Sequence, residues 1–310
     1  HGGYALSSAT PIEEVSLPHL SAALELYQAS ALVHDDIIDK ADERRGMPTP
    51  HRTLADHHAA QSWIGSSTDF GRHSAILVGD FLFSAATAAA DEQALTLHED
   101  CARAFVRRFA DMHAEVALGQ YLDITAEQIP LDPERTDALS MSDSLEVALH
   151  KSAHYSVVHP ALLGAICAAP SFDHVTGLLD VLETILTPWG LAFQLRDDDL
   201  GVFGDPAVTG KPAGDDLREG KRTALLALMW EASSPAERRA LTDVLGVAEA
   251  SAQQIATATD IVERNGRAAH EAEIVSLVAD GDAALEASEF DENARAMLRE
   301  LCSILTARRA

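Results

Sequence analysis

The sequence predicts an all-α protein, a single-domain bundle of about ten helices spanning residues 1–310. Three observations carry this reading. Hydrophobic residues fill 47% of the 310 positions but aromatics only 5%, and much of that apolar content is Ala and Leu, the strongest helix formers. Gly and Pro fall between long helix-compatible windows, and no window reads as a strand. The length is also sufficient to bury a sizeable core.

Residues 18–41 open the helical series, with Pro18 tolerated in a first turn. Residues 51–73, rich in His, Ser and Gly, read as a loop or a broken helix. Helical windows then cover 74–91, 100–126, 143–168, 174–203, 221–232 and 235–248, followed by 251–265, 267–281 and 291–308. The breaks are Gly46-Met47-Pro48, Pro130 to Pro133, Pro170, Gly204 to Gly214 and Gly266. No fixed-period repeat and no low-complexity linker interrupts the series.

The net charge of -26 excludes a nucleic-acid partner, which needs basic surface. No uninterrupted apolar run reaches membrane-spanning length, and no signal-peptide pattern opens the chain. Cys101, Cys167 and Cys302 are odd in number and lack metal-type spacing, as expected of reduced thiols in a cytoplasmic protein.

The chemistry is concentrated in two aspartate clusters. The first is Asp35-Asp36-Ile37-Ile38-Asp39, followed by Arg44-Arg45-Gly46. Helical spacing puts Asp35 and Asp39 on one face, with Asp36 offset beside them. Carboxylates converging at a helix end suit hard divalent cations, and Mg²⁺ commonly combines one or two carboxylates with phosphate oxygens. The guanidinium forks of Arg44 and Arg45 suit bidentate phosphate contacts. Ala31 and Tyr27 lie one and two turns below Asp35 on the same ladder, about 6 and 12 Å away. An apolar tail anchored at Asp35 has an open path past Ser30 and Ala31 and meets Tyr27 deeper down.

The second cluster, Asp197-Asp198-Asp199, ends the apolar run Trp189-Gly190-Leu191-Ala192-Phe193. A buried helix with three terminal carboxylates is costly unless they are neutralised. Downstream, Gly210-Lys211-Pro212-Ala213-Gly214-Asp215-Asp216 leads to Gly220-Lys221-Arg222-Thr223, a glycine-rich loop carrying lysines. Its spacing is not that of a Walker loop, which excludes an ATPase reading.

Together these residues resemble the trans-type polyprenyl diphosphate synthases, which include farnesyl and geranylgeranyl diphosphate synthases. His34 to Asp39 with Arg44-Arg45-Gly46 matches the first aspartate motif without a gap. Phe193-Gln194-Leu195-Arg196-Asp197-Asp198, Gly204-Asp205, Gly210-Lys211, Asp216 and Gly220-Lys221 match the second region. Gly79-Asp80, Gly119-Gln120-Tyr121-Leu122-Asp123 and Lys151-Ser152-Ala153 stand between them in the family's order. The resemblance implies helices around a central cavity (the isoprenoid synthase type) and a homodimer. It also implies condensation of isopentenyl diphosphate with an allylic diphosphate; small Ser30 and Ala31, with Tyr27 one turn deeper, put the product near C20 (C15 to C25).

By the same resemblance, Asp35, Asp39 and Asp197 bind Mg²⁺, about three ions in all, with Asp36 and Asp198 in support. Arg44, Lys151 and Lys211 grip the allylic diphosphate and Lys221 closes nearby. Gln28 and Arg45 hold isopentenyl diphosphate, and Gln194 sits near the reacting carbons. Gln120, Asp123, Ser152 and Asp216 complete the site, and Tyr27, Ser30 and Ala31 set product length. The chain departs from the family pattern in three places. Gly201 replaces the last Asp of the second motif, so Asp199, Asp205 or water is expected to take that contact. Ser152 stands where Thr is commoner. The N-terminal Gly-Gly-Lys-x-x-Arg motif is not seen and is expected upstream of residue 1. A non-catalytic partner subunit of a heteromeric synthase and a class I terpene cyclase are the alternatives. His150 and His154, four residues apart, and the pair His57-His58 lack a third zinc ligand at plausible spacing.

Overall fold

The computed structural model describes residues 1–8, 10–204, 214–247 and 249–306. The chain is helical as expected: α1 (Gly2–Ser8), α2 (Pro18–Ile38), α3 (Pro50–Ala60), α4 (Ser67–Ala94), α5 (Glu99–Gln128), α6 (Met141–Ala148), α7 (His159–Ala168) and α8 (Phe172–Phe203). Then come α9 (Asp215–Glu219), α10 (Ala224–Ala232), α11 (Pro235–Thr242), α12 (Ala252–Val262), α13 (Ala268–Ala287) and α14 (Glu292–Thr306). Lys211 and Asp205 lie outside the described residues.

Local chemistry accounts for the boundaries. Pro18 and Pro50 stand in the first turns of α2 and α3, where a missing N–H costs nothing. Ser66 caps α4, and Ser234 and Ser251 form reciprocal capping boxes with Glu237 and Gln254. The stretch 51–73 is the broken helix, resolved into α3 and the start of α4 with Gly65 at φ +95° between them. A π-helix over Glu263–Arg267 joins α12 to α13 through Gly266, where a break is expected from the sequence, and three further features escaped the sequence reading. One is α1, which packs on α7. Another is the two-residue antiparallel pairing of Glu43–Arg44 with Met47–Pro48. Its turn residues Arg45 and Gly46, at φ 54° and 72°, match a tight hairpin turn. The third is a π-helix over Leu149–Val158, continuous with α6 and α7.

The main core gathers Leu182, Ile185, Leu186 and Trp189 of α8, Leu162, Leu163 and Ile166 of α7, and Phe105, Phe109 and Met112 of α5. Side chains of this kind, fully buried, contribute about 1.5–3 kcal/mol each. A second cluster joins Val202 to Leu225, Met229, Trp230 and Ile261, fixing the end of α8. Among the described residues, α4 alone is long and apolar enough to cross a membrane by length and composition. Asp80 interrupts it, and it packs along α2 and α3. Gly119 lets α5 cross the π-helix closely, since a Cβ there would collide with the Lys151 backbone. That crossing sets Lys151 against the cavity described next.

Candidate active site

A cavity of about 1260 Å³ opens between α2, α5, the π-helix and α8. Asp35, Asp197 and Asp198 line it, as do Gln28, Arg44, Arg45, Gln120, Asp123, Lys151, Ser152, Gln194, Asp216 and Lys221. Residues far apart in the chain therefore share one chamber. Asp36 and Asp39 stand behind its wall. Asp36 is 2% exposed, and the Asp39 side chain is 5% exposed.

The hairpin returns Arg44 onto the first cluster. Its Nε donates to Asp36 Oδ1 at 2.7 Å and its Nη2 to Asp35 Oδ2 at 3.1 Å. Gln120 Nε2 donates to Asp35 Oδ1 at 3.3 Å. Lys151 Nζ donates to Asp123 Oδ2 at 2.5 Å and lies 3.7 Å from Asp35 Oδ1. From the other half of the chain, Lys221 Nζ meets Asp39 Oδ2 at 3.0 Å and Glu219 Oε2 at 2.9 Å. Gln194 Nε2 donates to Asp198 Oδ1 at 2.8 Å.

Burial and charge crowding shape the protonation of these groups. Burial pushes the Asp198 carboxyl well above its usual range; the Gln194 hydrogen bond opposes this, and Asp216, Asp197 and Asp123 add to it. Burial likewise raises Asp36 and Asp39, opposed by Arg44 and Lys221 respectively. Burial works against the Lys221 and Lys151 ammonium groups, yet the surrounding carboxylates outweigh it and hold both charged. Carboxylates crowded to this degree fit a bound hard cation, and the donors offered are oxygens throughout.

The second motif corrects one expectation. Asp199 does not replace the carboxylate missing at Gly201; it turns to Arg267, with Oδ1 at 3.2 Å from Nε, and does not line the cavity. Asp216 takes the space instead: a Cβ at Gly201 would collide with its carboxylate. The absent side chain at Gly201 is what admits Asp216.

Deeper in, the cavity turns apolar. Tyr27, 5% exposed, stacks on His113 with ring centroids 4.3 Å apart and meets Phe83, Phe109 and Tyr155 edge-on. Burial lowers the His113 pKa to about 4, so its ring is neutral near pH 7. Ser30 turns its hydroxyl to Gly79 O at 2.8 Å, while Ala31 faces the chamber.

Sequence reasoning missed His113, Phe83 and Tyr155 of the lining, and placed Phe193 only as part of the second motif. It also missed Glu127, whose pKa is raised to about 7 by burial and by the charges of Asp123 and Asp39. Glu127 lies one helical turn beyond Asp123 on α5, a spacing that was available to find it. Arg222 donates from Nη2 to Glu127 O at 3.5 Å, and its Nε and Nη1 are buried without a partner.

The polyprenyl synthetase family model matches residues 4–262. A geranylfarnesyl diphosphate synthase of Aeropyrum pernix is 33% identical over 80% of this chain and 68% of its own length. A geranylgeranyl diphosphate synthase of Mycobacterium tuberculosis is 33% identical over 81% of this chain and 63% of its own length. The chain thus spans about two thirds of these relatives. Among solved structures, a geranylgeranyl pyrophosphate synthase of Corynebacterium glutamicum, complexed with isoprenyl diphosphate and magnesium, superposes with a TM-score of 0.88. It is 36% identical and covers 99% of this chain and 84% of its own.

Proposed function

The chain belongs to the polyprenyl synthetase family, and we propose that it condenses isopentenyl diphosphate with an allylic diphosphate, lengthening the prenyl chain by one five-carbon unit per cycle. The observation that carries this reading is a single chamber with two carboxylate walls and interleaved lysines at one end and an aromatic floor at the other. That polarity suits a substrate with a diphosphate head and a hydrocarbon tail.

In the proposed reaction the allylic C1–O bond breaks and diphosphate departs with the electron pair. The double bond of isopentenyl diphosphate then attacks C1. A proton leaves the carbon next to the resulting cation and passes to the departed diphosphate. Asp35, Asp39 and Asp197, supported by Asp36 and Asp198, would hold Mg²⁺, about three ions in all, which would supply charge neutralisation at the leaving group. Lys151, held cationic beside Asp123 and Asp35, presents fixed positive charge where the leaving charge develops. Arg44, Lys221 and Lys211 complete the grip on the allylic diphosphate, while Gln28 and Arg45 hold isopentenyl diphosphate. Gln194 orients the reacting carbons and Asp198. Gln120, Asp123, Ser152 and Asp216 shape the chamber and hold its cations in place. The apolar lining, Phe83 and Phe193 included, excludes water from the cation.

Product length follows from depth. Tyr27 closes the tail path two turns below Asp35, which sets the longest product near C20. Two further readings belong to the proposal. The exposed apolar residues Leu77 (67%), Phe81 (73%) and Leu118 (51%) on α4 and α5 suit pairing of two copies as a homodimer. The three free cysteines suit a reducing, cytoplasmic setting.

The test is incubation with Mg²⁺, isopentenyl diphosphate and, separately, C5, C10 and C15 allylic primers, with products resolved by length. Longer prenyl diphosphates from at least one primer are expected. Hydrocarbon formation without extension, or no turnover of any primer, would refute the reading.

A further inference from the structure

Glu115 projects from α5 into a group of histidines that the cavity does not use; none of them lines it. His150 Nδ1 lies 2.7 Å and His154 Nδ1 2.5 Å from Glu115 Oε1, and His159 Nε2 lies 2.7 Å from Oε2. His150 and His154, four residues apart, share one face of the π-helix, and both reach Glu115. His159 follows as the first residue of α7, its backbone N–H bonded to His154 O. The rings stand nearly perpendicular to one another, 87° for His150 against His154 and 85° for His154 against His159. The sequence offered two histidines and no third ligand; Glu115, 35 positions before His150, is that ligand.

The ligand atoms of Glu115, His150 and His154 all lie within 4.8 Å of one another, and no other such trio occurs among the described residues. We propose that Glu115, His150 and His154 bind a divalent first-row transition ion, Zn²⁺ foremost, at a site separate from the two aspartate walls. Two imidazole nitrogens and one carboxylate oxygen are the donors Zn²⁺ prefers, whereas Mg²⁺ prefers oxygen alone. His159, its side chain 5% exposed, steers the second carboxylate oxygen, as outer partners of metal ligands commonly do. A fourth position is left for water.

The site has a mechanical role. It ties α5, which carries Gln120 and Asp123, to the π-helix, which carries Lys151 and Ser152. The tie lies one helical turn from the close crossing at Gly119. An ion there pins the backbone next to Lys151 without touching substrate.

The experiment uses the full chain, stripped with a chelator and reloaded with Zn²⁺ or Co²⁺ in excess Mg²⁺ and without diphosphate. The expected result is about one tightly held ion per chain after gel filtration. An X-ray absorption spectrum should show a mixed nitrogen and oxygen shell, and Tm should rise on loading. Glu115→Gln, His150→Asn and His154→Asn should each lose the ion, while the double variant Asp35→Asn, Asp197→Asn retains it. Wild-type protein that keeps no stoichiometric ion, or shows an oxygen-only shell, overturns the proposal whether or not a variant folds. Loss from the aspartate variant with retention in the histidine variants overturns it equally.

Discussion

Tyr27→Ala tests the depth argument directly. Tyr27 is eight residues below Asp35 on α2, about 12 Å at 1.5 Å per residue, and it stands at the centre of four ring contacts. Truncating a buried aromatic of this kind costs about 3–5 kcal/mol, so the variant is expected to fold with a lowered Tm. The space it vacates continues the apolar path past Ala31. An added isoprene unit brings five carbons; at roughly 0.8 kcal/mol per buried carbon group that is about 4 kcal/mol of transfer free energy. A difference of that size is a factor of about a thousand. The effect should therefore be a change of principal product, by at least one five-carbon unit. The assay is chain-length analysis of products from isopentenyl diphosphate and a C15 primer, at matched turnover for wild type and variant. A folded, active Tyr27→Ala enzyme whose longest product is unchanged would refute Tyr27 as the floor.

Three further outcomes are expected. Lys151→Met removes the cation between Asp123 and Asp35 and should lower kcat by about 10²–10³; steady-state kinetics checks this, and a change within about twofold would remove Lys151 from the mechanism. Gly201→Ala places a Cβ on the Asp216 carboxylate and should raise the Mg²⁺ concentration for half-maximal activity, read from a Mg²⁺ titration. His270, 1% exposed, has its pKa lowered to about 4 by burial and by Arg196. The unfolded chain therefore binds the extra proton first, and stability is lost as pH falls from about 6.5 through 4, by roughly 3 kcal/mol. His270→Leu should flatten that limb in denaturant unfolding measured at pH 4.5 and pH 7.5.

What the sequence made legible was whatever is local. The α2 carboxylates, the α8 carboxylates and the helix-breaking prolines sit within a turn or two of the pattern that announces them. The helical windows at 100–126 and 174–203 agree with α5 and α8 to within two residues at each end. Pairings between distant segments were not legible. Lys221 meets Asp39 across 182 positions, and nothing in either neighbourhood specifies the other. Asp199 and Asp216 show the same limit. Both are acidic and near the second motif, and only packing decides that Arg267 takes one while the gap at Gly201 admits the other. The π-helix leaves no periodic signature either. Its ten residues, Leu149–Val158, keep an apolar spacing that reads as an α-helix.

The ion pairs at the cavity mouth carry a thermodynamic consequence. Arg44 pairs with Asp35 and Asp36, Lys221 with Asp39, and Lys151 with Asp123. A metal ion arriving alone competes with resident cations for those carboxylates. A diphosphate arriving alone competes with resident anions for the lysines and the arginine. Each ligand, by drawing off one partner of every pair, frees the other partner for the second ligand. Occupancy by one is therefore expected to tighten the other by an equal factor, since such coupling is reciprocal. The mouth of the chamber behaves as a double-displacement balance, in which charge is exchanged between partners and little new charge is gathered.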